Sequence, residues 1–218
     1  MFPKRVVIIA NGDLTDLNFY RDLLNPDDYI VCANGGTRHA IALGLKPDLI
    51  IGDLDSLKPD QKHKMEIAGS QTVSYPSEKD ASDLELAVDH ALGMKPDHIL
   101  IIGALGGKRI DHTYINLMLL YRPLCSNIRA SIIDESQEIM LINNELVIEG
   151  SRGDYLSLFA LTSEASGIVT EGLKFSLKND SLDFASTRGL SNVFTDSQAK
   201  VAIKSGLLLV IKTSRLNI

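Results

Sequence analysis

The chemistry of this chain starts at Asp53 and Asp55, which follow the short apolar run Leu49-Ile50-Ile51-Gly52 and precede Ser56. The run is too short for an ordinary helix and reads as a buried strand. On extended chain, carboxylates two positions apart point to one side. Just past the carboxyl end of a strand, they stand where open α/β sheets collect their ligands. Two like charges that close repel unless a cation lies between them. Hard oxygen ligands of this kind suit magnesium, which arrives with substrate phosphates and keeps several waters. The same residues also suit a solvated acidic turn, in which Asp and Ser make local hydrogen bonds.

Three further stretches carry chemistry-bearing residues. Asn34-Gly35-Gly36 lies between an expected strand and a helix capped by Thr37. That order suits backbone contact with a phosphate at a helix N-terminus, and equally a tight turn that needs glycine for its dihedrals. In the segment from Ser77 to Glu85, Ser82 and Glu85 form a capping box, so a helix starts there. Asp80 and Asp83 beside that N-terminus complement the helix dipole. A dipole does not call for Lys79, however, and a third carboxylate with a lysine could complete a metal–phosphate site. The densest stretch runs from Gly103 through Gly106-Gly107-Lys108-Arg109-Ile110-Asp111-His112. Its glycines permit close backbone approach, Lys108 and Arg109 supply positive charge, and Arg109 can grip phosphate bidentately. This reads as an anionic-ligand site whose spacing fits neither a Walker A loop nor a dinucleotide fingerprint.

The elements that position these residues alternate through the first half. Strands are expected at 6–10, 29–33, 49–52, 71–75 and 98–102. Helices are expected at 16–24, 37–43, 59–68, 82–92 and 111–120. After Pro123 the pattern turns to short alternating runs at 129–134, 139–142, 145–149, 155–160, 168–170, 173–177, 201–203 and 207–213. Asn143-Asn144, Asn179-Asp180 and Ser205-Gly206 supply turns. The expected fold is therefore α/β: a Rossmann-like open-sheet domain over 1–126, then a smaller all-β sandwich or barrel domain over 127–218. In the β half, Thr187-Arg188-Gly189-Leu190-Ser191-Asn192 stands out, although spacing alone reads it as a surface loop.

Composition narrows the classes. The chain has 218 residues, 44% hydrophobic and 23% charged, in the ordinary globular range. A net charge of −6 gives no basis for a general nucleic-acid binder, so an anionic substrate needs a local cation. Cys32 and Cys125 both lie in apolar context, outside any Cys-x-x-Cys motif, and read as buried free thiols of a reducing compartment. The apolar run at 6–10 is too short for a signal peptide, and no stretch approaches a membrane span. A cytoplasmic protein with no membrane partner is expected.

Laid out in this order, the chain resembles the bacterial-type thiamine pyrophosphokinases over nearly its whole length. The resemblance rests on Asn34-Gly35-Gly36, the segment from Pro47-Asp48 through Asp53-Leu54-Asp55-Ser56, Lys79-Asp80-x-Ser82-Asp83-Leu84-Glu85, Arg109-x-Asp111-His112 and Gly189-Leu190-Ser191-Asn192. It implies transfer of a pyrophosphoryl group from ATP, the co-substrate, to the hydroxyl of thiamine, with magnesium as cofactor. It implies an ATP- and magnesium-binding first domain and a thiamine-binding, dimerising second domain. The implied assembly is a homodimer with sites shared between chains. Asp53, Asp55 and Asp83 fall on the magnesium positions, with Asp80 adjacent and Lys79 at a phosphate-contacting position. Arg109, Asp111, His112 and the Asn34-Gly35-Gly36 turn fall at the nucleotide and phosphate site, and Ser191 and Asn192 at the thiamine end. Catalytic roles are expected for Asp53, Asp55, Lys79, Asp80, Asp83 and Arg109.

This chain departs from the family in two ways. Asn34 stands where the family usually has Asp. The loop before Arg109 is one residue longer, through Lys108. There is no Trp, so Phe or Tyr must supply any stacking on thiamine, with Phe184 the candidate. Three other readings stay open: a related pyrophosphokinase acting on a pterin alcohol, a nucleotide-sugar transferase using Asp53-x-Asp55, and a non-catalytic thiamine or nucleotide sensor.

Overall fold

The computed structural model describes residues 3–55, 69–107 and 109–215. Ser56, Lys108 and the helix expected over 59–68 lie outside the described residues. The chain divides into two compact units, Met1–Glu135 and Ser136–Ile218.

The first unit is built on β1 (Arg5–Ile9), β2 (Tyr29–Ala33), β3 (Leu49–Gly52), β4 (Gln71–Ser74), β5 (His98–Ile102) and β6 (Arg129–Ile133). They lie in the order β6-β5-β1-β2-β3-β4, and every pair is parallel. Continuous apolar runs such as Val6-Val7-Ile8-Ile9 are needed because both faces are covered; all four residues are fully buried. The chain steps outward from β1 to β4, then returns to the other side of β1 as β5. That reversal opens a crevice beyond the carboxyl ends of β1 and β5. Arg129–Ile133, expected in the β half, instead pairs in parallel with β5.

Five described helices connect the strands: α1 (Leu17–Leu23), α2 (Thr37–Leu43), α3 (Asp83–Gly93), α4 (Ile110–Met118) and α5 (Tyr121–Cys125). Tyr20 of α1 with Ala40 and Leu43 of α2 meet Val7, Ile9, Ile30 and Cys32 in one core. Helix α3 buries Leu84, Ala87, Val88 and Ala91, the i, i+3, i+4, i+7 stripe of an amphipathic helix. The expected cap forms: Ser82 Oγ accepts from the Glu85 N–H at 3.1 Å. Cys32 is buried as expected, but Cys125 is exposed, because it ends the short helix α5 rather than facing a core.

Glu135, at the end of this unit, ties the chain back to the entry of α1. Its Oε1 accepts from the Thr15 N–H at 2.7 Å, the Thr15 hydroxyl at 2.8 Å and the Asp16 N–H at 2.8 Å. Burial alone would raise its pKa, but the N–H donors of Asp16, Glu135 itself and Thr15, with the Thr15 hydroxyl, lower it to about 2. A depressed carboxylate stabilises the fold above its unfolded pKa, and the contribution disappears as pH falls through the folded value. Glu135→Gln is therefore expected to reduce the loss of stability between about pH 4.5 and 2. It should cost roughly 1 kcal/mol at neutral pH once solvent screening is discounted. Urea midpoints of both proteins across that range test this, and parallel curves would refute it.

The second unit is antiparallel. Strands β7 (Gln137–Ile142), β9 (Tyr155–Ala160), β12 (Asn192–Val193) and β14 (Leu208–Thr213) join in the order β12-β9-β14-β7. Strands β8 (Glu145–Glu149), β10 (Glu164–Glu171), β11 (Lys178–Asp183) and β13 (Gln198–Ala202) join as β11-β10-β13-β8. Ile142, Leu158 and Val210 from the first set share one core with Ile148, Ile168 and Val201 from the second. The strand expected at 173–177 is instead a loop, in which Leu173 alone bridges to Phe194. The strand lies at Lys178–Asp183, across the Asn179-Asp180 pair that signals a turn. Asn179, at φ 61°, is the extra residue of a register shift against β10, so the turn signal marks a bulge. Among the described residues no helix is long and apolar enough to cross a membrane.

Candidate active site

A cleft of about 670 Å³ opens at the β1/β5 reversal. It is lined from the ends of β1 (Asn11, Gly12) and β2 (Asn34, Gly35), the entry of α3 (Lys79, Asp83), the end of the β5–α4 loop (Arg109) and the first turn of α4 (Asp111, His112). Distant expected segments of the first unit thus meet because a parallel sheet delivers its strand ends to one edge, although Asp53 and Asp55 do not themselves line the cleft and reach it only through Asn34.

The Asn34-Gly35-Gly36 turn is a single turn of 3-10 helix packed on β1. A Cβ on Gly36 would collide with the Ile9 carbonyl, and one on Gly35 would come within 2.5 Å of the Asn11 side chain. Close packing therefore explains both glycines, and Gly35 also lines the cleft.

Asp53-Leu54-Asp55 does not continue the strand. Leu54 adopts a left-handed φ of 62° and buries its side chain in the core of this unit. The two carboxylates converge through a turn rather than by the alternation of extended chain. The Asp55 N–H donates to Asp53 Oδ1 at 3.2 Å, so the local acidic turn is present too. Asn34 Nδ2 then donates to Asp53 Oδ1 at 2.7 Å and to Asp55 Oδ1 at 3.2 Å. Gly52, at φ 149°, leaves the space this requires: a Cβ there would lie 2.8 Å from Asn34 Cβ and 3.0 Å from Asp83 Oδ1.

Lys79 Nζ lies 2.9 Å from Asp83 Oδ1, an ion pair one helical turn apart. The pair is not aligned as a hydrogen bond, and Asp83 Oδ1, like Asn34 Oδ1, is buried without a hydrogen-bond partner. Asp80 is exposed and does not line the cleft. Among the described residues no three His, Cys, Asp or Glu side chains are gathered closely enough to hold a metal as they stand.

Arg109 is paired with its neighbour Asp111. Nε donates to Asp111 Oδ1 at 2.9 Å and Nη2 donates to Oδ2 at 2.5 Å, with both side chains more than half exposed. The Arg109 hydrogen bonds hold the Asp111 carboxyl down at about 2. Three of the five guanidinium N–H donors remain for a ligand. The loop before Arg109 is pinned by residues that no local pattern marked. Asp13 Oδ2 accepts from the Gly107 N–H at 3.1 Å and Asn116 Nδ2 donates to the Ala104 carbonyl at 2.8 Å, while His39 Nε2 donates to the Gly12 carbonyl at 2.6 Å in the turn after β1. Asn11-Gly12-Asp13, a turn at the end of the strand where the sheet reverses, is the one signal that could have found them.

Ser191 and Asn192 lie in the second unit. Ser191 is exposed in a left-handed conformation at φ 56°, its N–H donating to Ser157 Oγ at 3.0 Å. Asn192 is buried, and its amide is engaged by the backbone of Phe175: Oδ1 accepts from that N–H at 3.0 Å, and Nδ2 donates to that carbonyl at 2.8 Å. Phe175 itself is 62% exposed, as is Phe184 at 63%.

Residues 20–132 match the thiamin pyrophosphokinase catalytic domain, and residues 142–208 match the thiamin pyrophosphokinase vitamin B1 binding domain. The chain is similar to the thiamine pyrophosphokinase of Bacillus subtilis (strain 168), 30% identical over 216 residues that cover 97% of this chain and 99% of that protein. It is similar to thiamine pyrophosphokinase 1 of Oryza sativa subsp. japonica, 29% identical over 207 residues covering 83% and 77%. The crystal structure of the Bacillus subtilis thiamine pyrophosphokinase matches with a TM-score of 0.86 at 29% identity, covering 97% of this chain and 100% of that one. The two matched segments fall one in each compact unit and together span most of the sequence, so the chain belongs to the thiamine pyrophosphokinase family.

Proposed function

We propose that this transferase holds the triphosphate of ATP, with magnesium, in the cleft of its first unit and meets thiamine through the Ser191–Phe175 surface of its second. The activity transfers the pyrophosphoryl group of ATP to the thiamine hydroxyl, giving thiamine diphosphate and AMP. The observation that carries the reading is the gathering of Asn34, Lys79, Asp83, Arg109 and Asp111 on one cleft, with Asp53 and Asp55 bonded to Asn34. The open parallel order, reversing at β1 and β5, supports the Rossmann-like description of this unit.

Asp53, Asp55 and Asp83 offer hard oxygens suited to magnesium, and two buried oxygens beside Gly52 have no hydrogen-bond partner. A cation held there would neutralise phosphate charge. The chain's own residues supply the rest. Lys79, largely buried and paired with Asp83, is a fixed positive charge near the transferred group, and Arg109, oriented by Asp111, offers its free donors to phosphate oxygens. Of the two carboxylates considered as proton acceptor for the thiamine hydroxyl, Asp83 lines the cleft and Asp80 does not.

Phe175, rather than Phe184, is the proposed platform for the cationic ring of thiamine, because Asn192 fixes its backbone on both sides. Phe175→Ala is expected to raise the thiamine KM about 10-fold, a loss of one cation–π contact, with the ATP KM unchanged. Phe184→Ala should do neither, and the reverse ranking would move the platform to Phe184. The proposal extends to a cytoplasmic homodimer with shared sites. Mixing Asp55→Asn chains with Ser191→Ala chains should then restore part of the activity after subunit exchange. No recovery in mixed dimers confirmed by mass would place each site within one chain.

The reaction itself is tested with magnesium, ATP and thiamine, assaying AMP and thiamine diphosphate. ADP with thiamine monophosphate would replace pyrophosphoryl transfer by single phosphoryl transfer. Turnover with a pterin alcohol alone would replace the acceptor.

A further inference from the structure

We propose that Asn34 is a positioning residue that clamps Asp53 and Asp55 together in the metal-free protein, occupying the place between them that a cation later takes. The inference rests on the magnesium reading given above.

An amide NH2 has two hydrogens and no charge, which matches two neighbouring carboxylates. Asn34 uses one hydrogen on Asp53 and the other on Asp55, at 2.7 and 3.2 Å. Its orientation is settled by chemistry, since the amide oxygen turned the same way would face two acceptors. The side chain is also held from behind. Asn34 is 8% exposed, its carbonyl accepts from Thr37 Oγ1 at 2.8 Å, and its Cβ lies against the bare Cα of Gly52. An Asp here would have no hydrogen to offer and would add a third charge to the same corner. The amide's other end, Oδ1, is buried without a hydrogen-bond partner, while Asp83 Oδ1 across Gly52 is held in its ion pair with Lys79. Asn34 thus has its donor side fully committed and its acceptor side left over, as expected of a group that satisfies carboxylates in the absence of a cation.

A clamp and a purely structural hydrogen bond make different predictions about magnesium. If the amide occupies the cation's place, binding a cation gives up its two hydrogen bonds. Removing the amide then weakens only the metal-free protein. The test is thermal unfolding of the full chain in EDTA and across a titration with magnesium chloride, without nucleotide. In EDTA, Asn34→Ala is expected to lower the Tm by about 4–8 °C. At saturating magnesium the difference should close, with half-saturation at roughly 10-fold less magnesium than wild type. Asn34→Asp should shift in the same directions and further. If it fails to fold in EDTA, Asn34→Ala carries the comparison. A deficit of equal size with and without magnesium, or weaker magnesium binding by Asn34→Ala, overturns the clamp and leaves the metal reading standing. Absence of any magnesium effect on the wild type overturns the metal reading beneath it.

Discussion

Replacing Asp53 or Asp55 by Asn is expected to cut turnover at limiting magnesium by about 100-fold or more while leaving the fold intact. The volume is unchanged, and the new side-chain oxygen can still accept from Asn34 Nδ2, so the turn at Leu54 keeps its hydrogen bonds. What is lost is charge. Each neutral replacement would remove attraction for a divalent cation, and among the described residues no third carboxylate is gathered with the pair closely enough, as they stand, to compensate. The loss should therefore appear first as a higher magnesium requirement, partly rescued by excess magnesium at saturating ATP. Asp53→Asn should be the more damaging, because Asp53 is the less exposed of the pair and takes the shorter bond from Asn34. Near wild-type turnover at limiting magnesium would remove the metal assignment, and a matching fall in Tm would recast both residues as structural.

How much of this was legible in the sequence depends on the range of the interaction involved. The strands of the first unit were legible because a sheet covered on both faces demands unbroken apolar runs, and 6–9 is such a run. The capping box at Ser82 was legible because cap and partner lie within one turn. The convergence of Asp53 and Asp55 was anticipated for the wrong reason: burial of Leu54 in the core overrides the extended geometry. The β10–β11 pairing was hidden because Asn179 suits a turn and a bulge equally well. Asp13 holds a loop 94 residues away, and nothing in its own neighbourhood encodes that. The thiamine end was half legible. Gly189-Leu190-Ser191-Asn192 stood out as the proposed place, but the engagement of Asn192 with Phe175 joins two loops that only the folded sheet brings together.

Arg109→Ala is expected to lower kcat/KM for ATP by roughly 100- to 1,000-fold, as for loss of a charged donor aimed at the phosphates. Arg109 lines the cleft as an exposed side chain paired with the exposed Asp111, so its charge is not tied into the core. An exposed ion pair contributes little to stability, and the Tm should hardly move, which separates a lost ligand contact from damage to the fold. Arg109→Lys should recover only part of the loss, since an ammonium cannot make the planar bidentate contact. Asp111→Asn should cost less, about 10-fold, because it loosens the guanidinium without removing it. With its carboxyl held at about 2, Asp111 stays ionised at ordinary assay pH, so this smaller loss should not vary with pH above about 5. Lys108→Ala is the comparison that decides the register of the longer loop. If Arg109 is the phosphate ligand, Lys108→Ala leaves the ATP constants close to wild type. A larger loss for Lys108→Ala than for Arg109→Ala would mean that the extra residue lies after the phosphate-binding cation, and would transfer that role to Lys108.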